Sequence, residues 1–157
     1  MFFSKLKPMS GAVSFPAWLP AALFAPALIG FGDATYLTVK HFLGAPVTCS
    51  ILQGCDKVLT SQYAVVFGLP VALLGALYYL SVLILSGYCL FSARSSIMRF
   101  ISRFVALGFL ASLWFVYLQV FVINDLCEYC LLSALISTAL FALSFLIREE
   151  KTAIVTK

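Results

Sequence analysis

The chain has 157 residues, 63% of them hydrophobic and only 10% charged, with a mean hydropathy of +1.08. A soluble domain needs more polar surface than this, so the composition excludes an ordinary water-soluble globule and places most of the chain in lipid, as one domain by length. The formal net charge of +4 does not point to nucleic acid, because the basic residues lie scattered at the ends of apolar runs.

Four apolar runs, 17–39, 64–87, 101–123 and 129–147, approach or exceed the ~20 residues that cross a bilayer as helix. The fourth is short, which puts its first turn at the membrane surface. The expected fold is an all-α integral membrane protein, a four-transmembrane-helix bundle forming a single domain over 1–157. An outer loop with a short amphipathic helix joins the first two helices. Lys5 and Lys7 precede the first run, Arg94, Arg99 and Arg103 flank the second connection, and Arg148, Lys151 and Lys157 follow the fourth run. Only Lys40 and Lys57 fall on the other side, so the positive-inside rule predicts both termini in the cytoplasm and the first and third connections outside. The N-terminal run is long and no clear cleavage site follows it, which argues against a signal peptide.

In chain order, residues 1–15 read as a short cytoplasmic tail at the membrane surface. Pro16 and Pro20 suit a helix start and Pro26 falls inside the first helix, a kink that neighbouring helices tolerate. Trp18 is an interfacial anchor, and Gly30, Gly32 and Ala34 permit close helix packing. Asp33 lies about one turn inside the outer boundary, where solvation or a cap is expected to satisfy it. His41, the single histidine, reads as a surface residue. The first connection, 40–63, is long enough to fold over the bundle. Gly44 and Pro46 mark a turn there, and Gly54 allows a bend before Cys55. Val58, Leu59 and Tyr63 give an amphipathic pattern that would hold Cys55 close to the bilayer and leave Cys49 more exposed. The second helix opens on Phe67-Gly68-Leu69-Pro70. The inner connection, 88–100, is short and basic, with Cys89 as a reduced bystander. Trp114, Phe115 and Tyr117 read as packing or interfacial belt, whereas Gln119 needs a partner if it lies in the membrane.

The last apolar run opens on Cys127-Glu128-Tyr129-Cys130. Two cysteines three apart in a first helical turn can close as a disulfide or open to a dithiol. The helix start favours thiolate, while Asp125 and Glu128 oppose it. These two acids also match a capping box, with Asp125 as cap. With Cys49 and Cys55, four of the five cysteines face the compartment where disulfides persist. Two outward pairs on one bundle suit a thiol–disulfide relay, in which a thiolate attacks a disulfide through a mixed disulfide. The loop pair can meet a soluble dithiol, and the C-x-x-C pair can meet a lipid-soluble two-electron acceptor, of which a quinone is the obvious kind, in a pocket between helices. The competing readings are a non-enzymatic membrane protein with structural disulfides, or a metal-binding outer site. The absence of a second C-x-x-C lowers the latter, and no metal is expected.

The order of the loop cysteines, then Cys55-Asp-Lys-Val-Leu-Thr-Ser61-Gln-Tyr63-Ala-Val-Val-Phe67-Gly-Leu-Pro70, then C-x-x-C at the head of the last helix, resembles the vitamin K epoxide reductase family. It is most similar to the bacterial or archaeal type, over about residues 31–147. The resemblance implies a four-helix bundle around a quinone of ubiquinone, menaquinone or vitamin K type. It assigns Cys49 as the shuttle cysteine that meets the protein substrate, Cys55 as the relay to Cys127, and Cys130 as the cysteine beside the quinone. It places Ser61 near the quinone head group, with Tyr63, Phe67, Leu74, Tyr78 and Phe115 lining the pocket. Many bacterial relatives carry a fused thioredoxin-like domain. Here the chain ends about ten residues after the fourth run, so a separate DsbA-like thioredoxin-fold protein is the expected partner, alongside membrane lipid and quinone and without nucleic acid. Vitamin K quinone or epoxide reductase activity is an alternative. A DsbB-like oxidase is another, disfavoured because its C-x-x-C belongs to the first outer loop. The resting pairing stays open between Cys49–Cys55 with Cys127–Cys130, and a Cys55–Cys127 link.

Overall fold

A computed structural model describes residues 18–51, 54–92 and 95–155, and the side chains among them except at 95 and 146–155. The tail 1–15, Pro16, Arg94 and Lys157, and with them part of the orientation argument, lie outside the described residues.

Four helices are long and apolar enough to cross a membrane, Leu19–Phe42, Val71–Phe91, Ser96–Ile123 and Glu128–Phe145. The chain is an all-α integral membrane protein, a four-helix bundle. The elements are α1 (Leu19–Phe42), a short α2 (Cys55–Leu59), a two-stranded hairpin β1 (Val65–Val66) and β2 (Leu69–Pro70), α3 (Val71–Phe91), α4 (Ser95–Tyr117) and α5 (Glu128–Val155). α1 packs along α3 and α5, and α4 packs along α5 and α3. Pro20 occupies the first turn of α1, where its missing N–H costs no hydrogen bond, and Lys40 and His41 sit in the last turn, against the negative end of the helix.

Several boundaries differ from the hydropathy reading. The second span begins at Val71 and not at 64, because 65–70 form the hairpin, and Pro70 becomes the residue before α3. The hairpin turn is Phe67-Gly68, both at positive φ (53° and 79°), as a two-residue turn with right-handed strand twist requires. The amphipathic helix expected from Asp56 onwards is the single turn and a half of α2, followed by a 3₁₀ turn at Gln62–Ala64. α4 begins six residues earlier than the apolar run, and α5 continues beyond 147, since helix geometry does not stop where hydropathy does.

Two buried clusters divide the bundle. The larger joins Leu19, Leu23, Val82, Met98, Ile101 and Leu140 from all four long helices. The smaller sits at the other end, around Leu37, Val47, Cys55, Val58 and Cys127. Gly30 is what lets α1 approach α3: a Cβ there would fall 2.5 Å from the ring of Tyr79. Tyr79 is 1% exposed, and its hydroxyl bonds the Ser133 carbonyl at 2.9 Å and the Ser133 and Ser137 hydroxyls at 2.8 and 3.1 Å, tying α3 to α5. Tyr79 also lines a cavity that reaches Cys130.

Candidate redox site at the cysteine end of the bundle

Cys49 and Cys55 are joined as a disulfide with Cα atoms 5.7 Å apart, within the usual range. Cys127 and Cys130 are free thiols. Of the pairings left open by sequence, the structure therefore has the loop pair closed and the C-x-x-C pair reduced. The sulfurs of Cys49, Cys55 and Cys127 lie within 4.8 Å of one another. Two of the three are bonded to each other, so the cluster is a disulfide with a thiol at its flank, the arrangement that precedes exchange. Cys55 and Cys127 are buried and Cys49 is half-buried, the order of exposure expected from the loop pattern.

Three local features hold the loop against the C-x-x-C turn. Gly54 packs on the backbone of the Asp125–Leu126 turn, where a Cβ would lie 2.7 Å from the Leu126 carbonyl oxygen and 2.9 Å from its nitrogen. Any other residue would push Cys55 away from Cys127. Glu128 accepts the backbone N–H of Ser50 at 2.7 Å through Oε1 and that of Ile51 at 3.0 Å through Oε2. Asp125 pairs with Lys57 of α2. The two acids thus grip the first connection and do not form the capping box that their spacing suggested. The residue that precedes α5 is Cys127, whose carbonyl accepts the Leu131 N–H at 3.0 Å.

With no carboxylate as cap, the Cys127 sulfur takes that place. The Cys130 thiol and the backbone N–H groups of Cys130 and Tyr129 donate to it. They lower its pKa from an ordinary 9.0 to about 7 against the opposing effects of burial and of the Asp33 carboxylate. Gln119 fixes the other side: its Oε1 accepts the Cys127 N–H at 2.9 Å, and its Nε2 donates to the Phe115 carbonyl at 3.4 Å. Gln119 sits in a π-helical turn, Leu118–Ile123, that ends α4 and is closed by Asn124 in the left-handed region. This turn is what swings a membrane-level amide, 2% exposed, onto the backbone of the cysteine turn.

A cavity of about 860 Å³ opens beside Cys130. Its walls come from α1, the first connection, α3, α4 and α5, and most of them are apolar. Of the residues expected to line a pocket, Ser61, Tyr63, Leu74, Tyr78 and Phe115 all do. Phe67 does not: it occupies the hairpin turn, fully exposed, because the positive φ that closes the turn directs it away from the bundle. The Ser61 hydroxyl donates to the Val58 carbonyl at 2.7 Å. Gln119, an amide expected to need a partner, and Asp33 line the cavity as well. Asp33 was expected to be solvated or capped. Instead its Oδ2 is buried without a hydrogen-bond partner among the described residues, as is the Tyr78 hydroxyl.

Residues 21–145 match the vitamin K epoxide reductase family. The chain belongs to this family. It is also 38% identical, over 120 residues, to the thiol-disulfide oxidoreductase LTO1 of Arabidopsis thaliana, a match covering 71% of this chain and 32% of that protein. The chain thus spans about a third of the length of this relative. Family membership and the observed fold agree on a helical membrane protein, and the matched segment contains all four cysteines of the site.

The depressed Cys127 pKa has a direct consequence. Below pH 7 the reduced protein should carry Cys127 as thiol, with the thiolate fraction falling about tenfold per pH unit, while above pH 7 it should level off. A titration of ultraviolet thiolate absorbance on the reduced protein is expected to show one group with a midpoint near 7. A first midpoint near 9 would mean that the helix start and Cys130 do not stabilise the Cys127 thiolate.

Proposed function

We propose that this protein is a quinone-linked thiol–disulfide oxidoreductase. It oxidises a DsbA-like thioredoxin-fold protein or domain through Cys49 and Cys55 and passes the electrons through Cys127 and Cys130 to a membrane quinone. In this reading both termini are cytoplasmic and the cysteine pairs face the extracytoplasmic side. The observation that carries it is the position of Cys127, whose sulfur flanks the loop disulfide within 4.8 Å while Cys130, one turn on, lines the cavity. The name of the Arabidopsis relative supports the thiol–disulfide part.

The steps follow from the positions. A partner thiolate attacks Cys49, the more exposed half of the loop disulfide, and the partner's second thiol resolves the mixed disulfide. The partner leaves oxidised, and Cys49 and Cys55 hold its two electrons. The Cys55 thiolate then attacks Cys127 of an oxidised Cys127–Cys130 pair, and Cys130 departs as thiolate toward the cavity. Cys49 resolves the Cys55–Cys127 link and gives up its thiol proton, which the Cys130 thiolate takes up; the loop disulfide is restored and the second pair is left reduced, as Cys127 thiolate and Cys130 thiol. That distribution, loop pair closed and second pair free, is the one the structure has. Re-forming the Cys127–Cys130 bond releases two electrons, which the quinone accepts as substrate with two protons.

The cavity suits such a substrate. It is lined mostly by carbon, with Tyr78, Phe104 and Phe115 able to cover a flat ring. On its wall, Asp33 Oδ2 and the Tyr78 hydroxyl are buried without partners among the described residues and are available to the oxygens of a ring that carries one at each end.

The test is quinone reduction by purified protein in detergent, driven by a reduced thioredoxin-like protein or a small dithiol, beside a Cys130→Ser variant. Turnover by the wild type and none by the variant is the expected result. If no quinone is reduced and the four cysteines stay stably paired, the proposal is wrong and the disulfides are structural.

A further inference from the structure

We infer that Asp33 is the acid that protonates the reduced quinone, a catalytic residue of the second half-reaction. The inference rests on the quinone reading above and goes beyond it by naming where one of the two protons comes from.

The electron balance leaves a proton to be supplied. With Cys127 as thiolate and Cys130 as thiol, closing their disulfide gives up two electrons and only one proton, that of Cys130. Hydroquinone carries two. The missing proton must be delivered inside the cavity at the moment of reduction, because an apolar site cannot draw it from bulk water on its own.

Asp33 is placed to deliver it. It stands on the wall of the same cavity as Cys130, and its Oδ2 is buried with no hydrogen-bond partner among the described residues. A carboxyl oxygen kept without a protein partner in a membrane helix is costly, and such residues recur as proton relays. No salt bridge involves it among the described residues: the ion pair present is Lys57–Asp125. The carboxylate is also near enough to oppose the Cys127 thiolate electrostatically, so its protonation state and the redox state of the cysteines are linked.

The supply route runs along one helix face. Asp33, Leu37, Lys40 and His41 are spaced so as to share a side of α1, and all four line the cavity. Lys40 and His41 close the last turn of α1 at the cysteine end, and His41 is exposed. Asp33 is therefore reloaded from the water at that end after each transfer. Among the described residues, the titratable groups sharing the cavity wall from the other elements are Tyr78 and Tyr79 of α3, Cys130 of α5, Asp56 of α2 and Tyr63 of the first connection; α4 contributes none. The step balances as Cys127 thiolate, Cys130 thiol, Asp33 carboxylic acid and quinone giving the Cys127–Cys130 disulfide, Asp33 carboxylate and hydroquinone. The carboxylate then regains its proton from water.

The experiment compares wild type, Asp33→Asn and Asp33→Glu in two assays. One is quinone reduction driven by a small dithiol. The other is dithiol exchange with the two cysteine pairs, read by thiol trapping without quinone. Asp33→Asn is expected to lower kcat for quinone by on the order of 10²-fold and to slow exchange by no more than about twofold. Acetic acid added to Asp33→Asn should restore part of the quinone rate, as should the Asp33→Glu substitution, which a merely structural role would not allow. The assignment is overturned if Asp33→Asn reduces quinone at the wild-type rate, if only KM changes, or if exchange falls equally. Wild type that exchanges thiols but reduces no quinone defeats the quinone reading itself, an outcome distinct from any behaviour of the Asp33 variants.

Discussion

Cys127→Ser is expected to cut dithiol-driven quinone reduction by at least ~10³-fold while leaving the loop disulfide able to oxidise one equivalent of partner. The reason is geometric. Among the described residues, the Cys127 sulfur is the thiol within 4.8 Å of both sulfurs of the Cys49–Cys55 disulfide. It is thus the point where the two pairs touch. Without it, Cys130 must meet the loop directly across the first turn of α5, and the advantage of a held reactant over a diffusing one is lost. Serine keeps the size of the side chain and can still accept the N–H groups at the start of the helix, so the fold should survive. Rapid mixing with a reduced thioredoxin-like protein, followed by acid quench and thiol trapping, reads both events separately. The expected pattern is a single burst of partner oxidation without steady turnover. Steady turnover above a tenth of the wild-type rate would show that electrons bypass Cys127, and the relay order would have to be redrawn.

Much of the architecture was legible because lipid makes the code simple. Four apolar runs had to be helices, since no other open structure satisfies its backbone in a bilayer. The boundaries were less so. The run from 64 hid the hairpin at Val65–Pro70, because valine and leucine satisfy both a strand and a span, and only the Phe67-Gly68 turn chemistry separates the two. Phe67, which the family resemblance placed on the pocket wall, lies in that turn instead, and its positive φ carries the side chain outwards.

At the site, the cysteines could be found by spacing alone, but the interactions that position them could not. Asp125 and Glu128 carry the local signature of a capping box, and a sequence offers no way to see that residues some seventy positions earlier will compete for the same carboxylates. Here the long-range partners win, since two backbone N–H groups and an ammonium reach these acids when the loop folds down. Cys127 can then serve as its own helix cap, and its thiolate gains the donors that a carboxylate would have taken. Gln119 was recognisable as an amide needing a partner; that the partner is the backbone of Cys127 depends on the π turn, which has no sequence marker here. Asp33 shows the reverse case. Its depth made a cap seem sufficient, yet the cavity beside α1 leaves Oδ2 without one.

Glu128→Ala should slow electron transfer from the loop pair to Cys127 by about tenfold and should not slow the attack of a small dithiol on the loop disulfide. The carboxylate bridges two consecutive N–H groups, Ser50 at 2.7 Å and Ile51 at 3.0 Å, next to Cys49. Hydrogen bonds to a charged acceptor are worth roughly 1.5–3 kcal/mol each when sheltered, and these are exposed, so the pair together is taken as about 1.4 kcal/mol, a factor of ten in the population of the closed loop. The internal step needs the loop down against Cys127, so its rate falls with that population. The external step needs Cys49 accessible, and a loop released from the clamp is at least as accessible as one held by it. Glu128→Gln, which retains one good acceptor oxygen, should fall between wild type and alanine. Trapping the four thiols at intervals after mixing with dithiol separates the two rates. An unchanged internal rate in Glu128→Ala would show that the disulfide and the Gly54 packing alone hold the loop in place. A parallel loss of both rates would mean that the substitution disturbs the start of α5, and with it the Cys127 thiolate, and does not act on the loop.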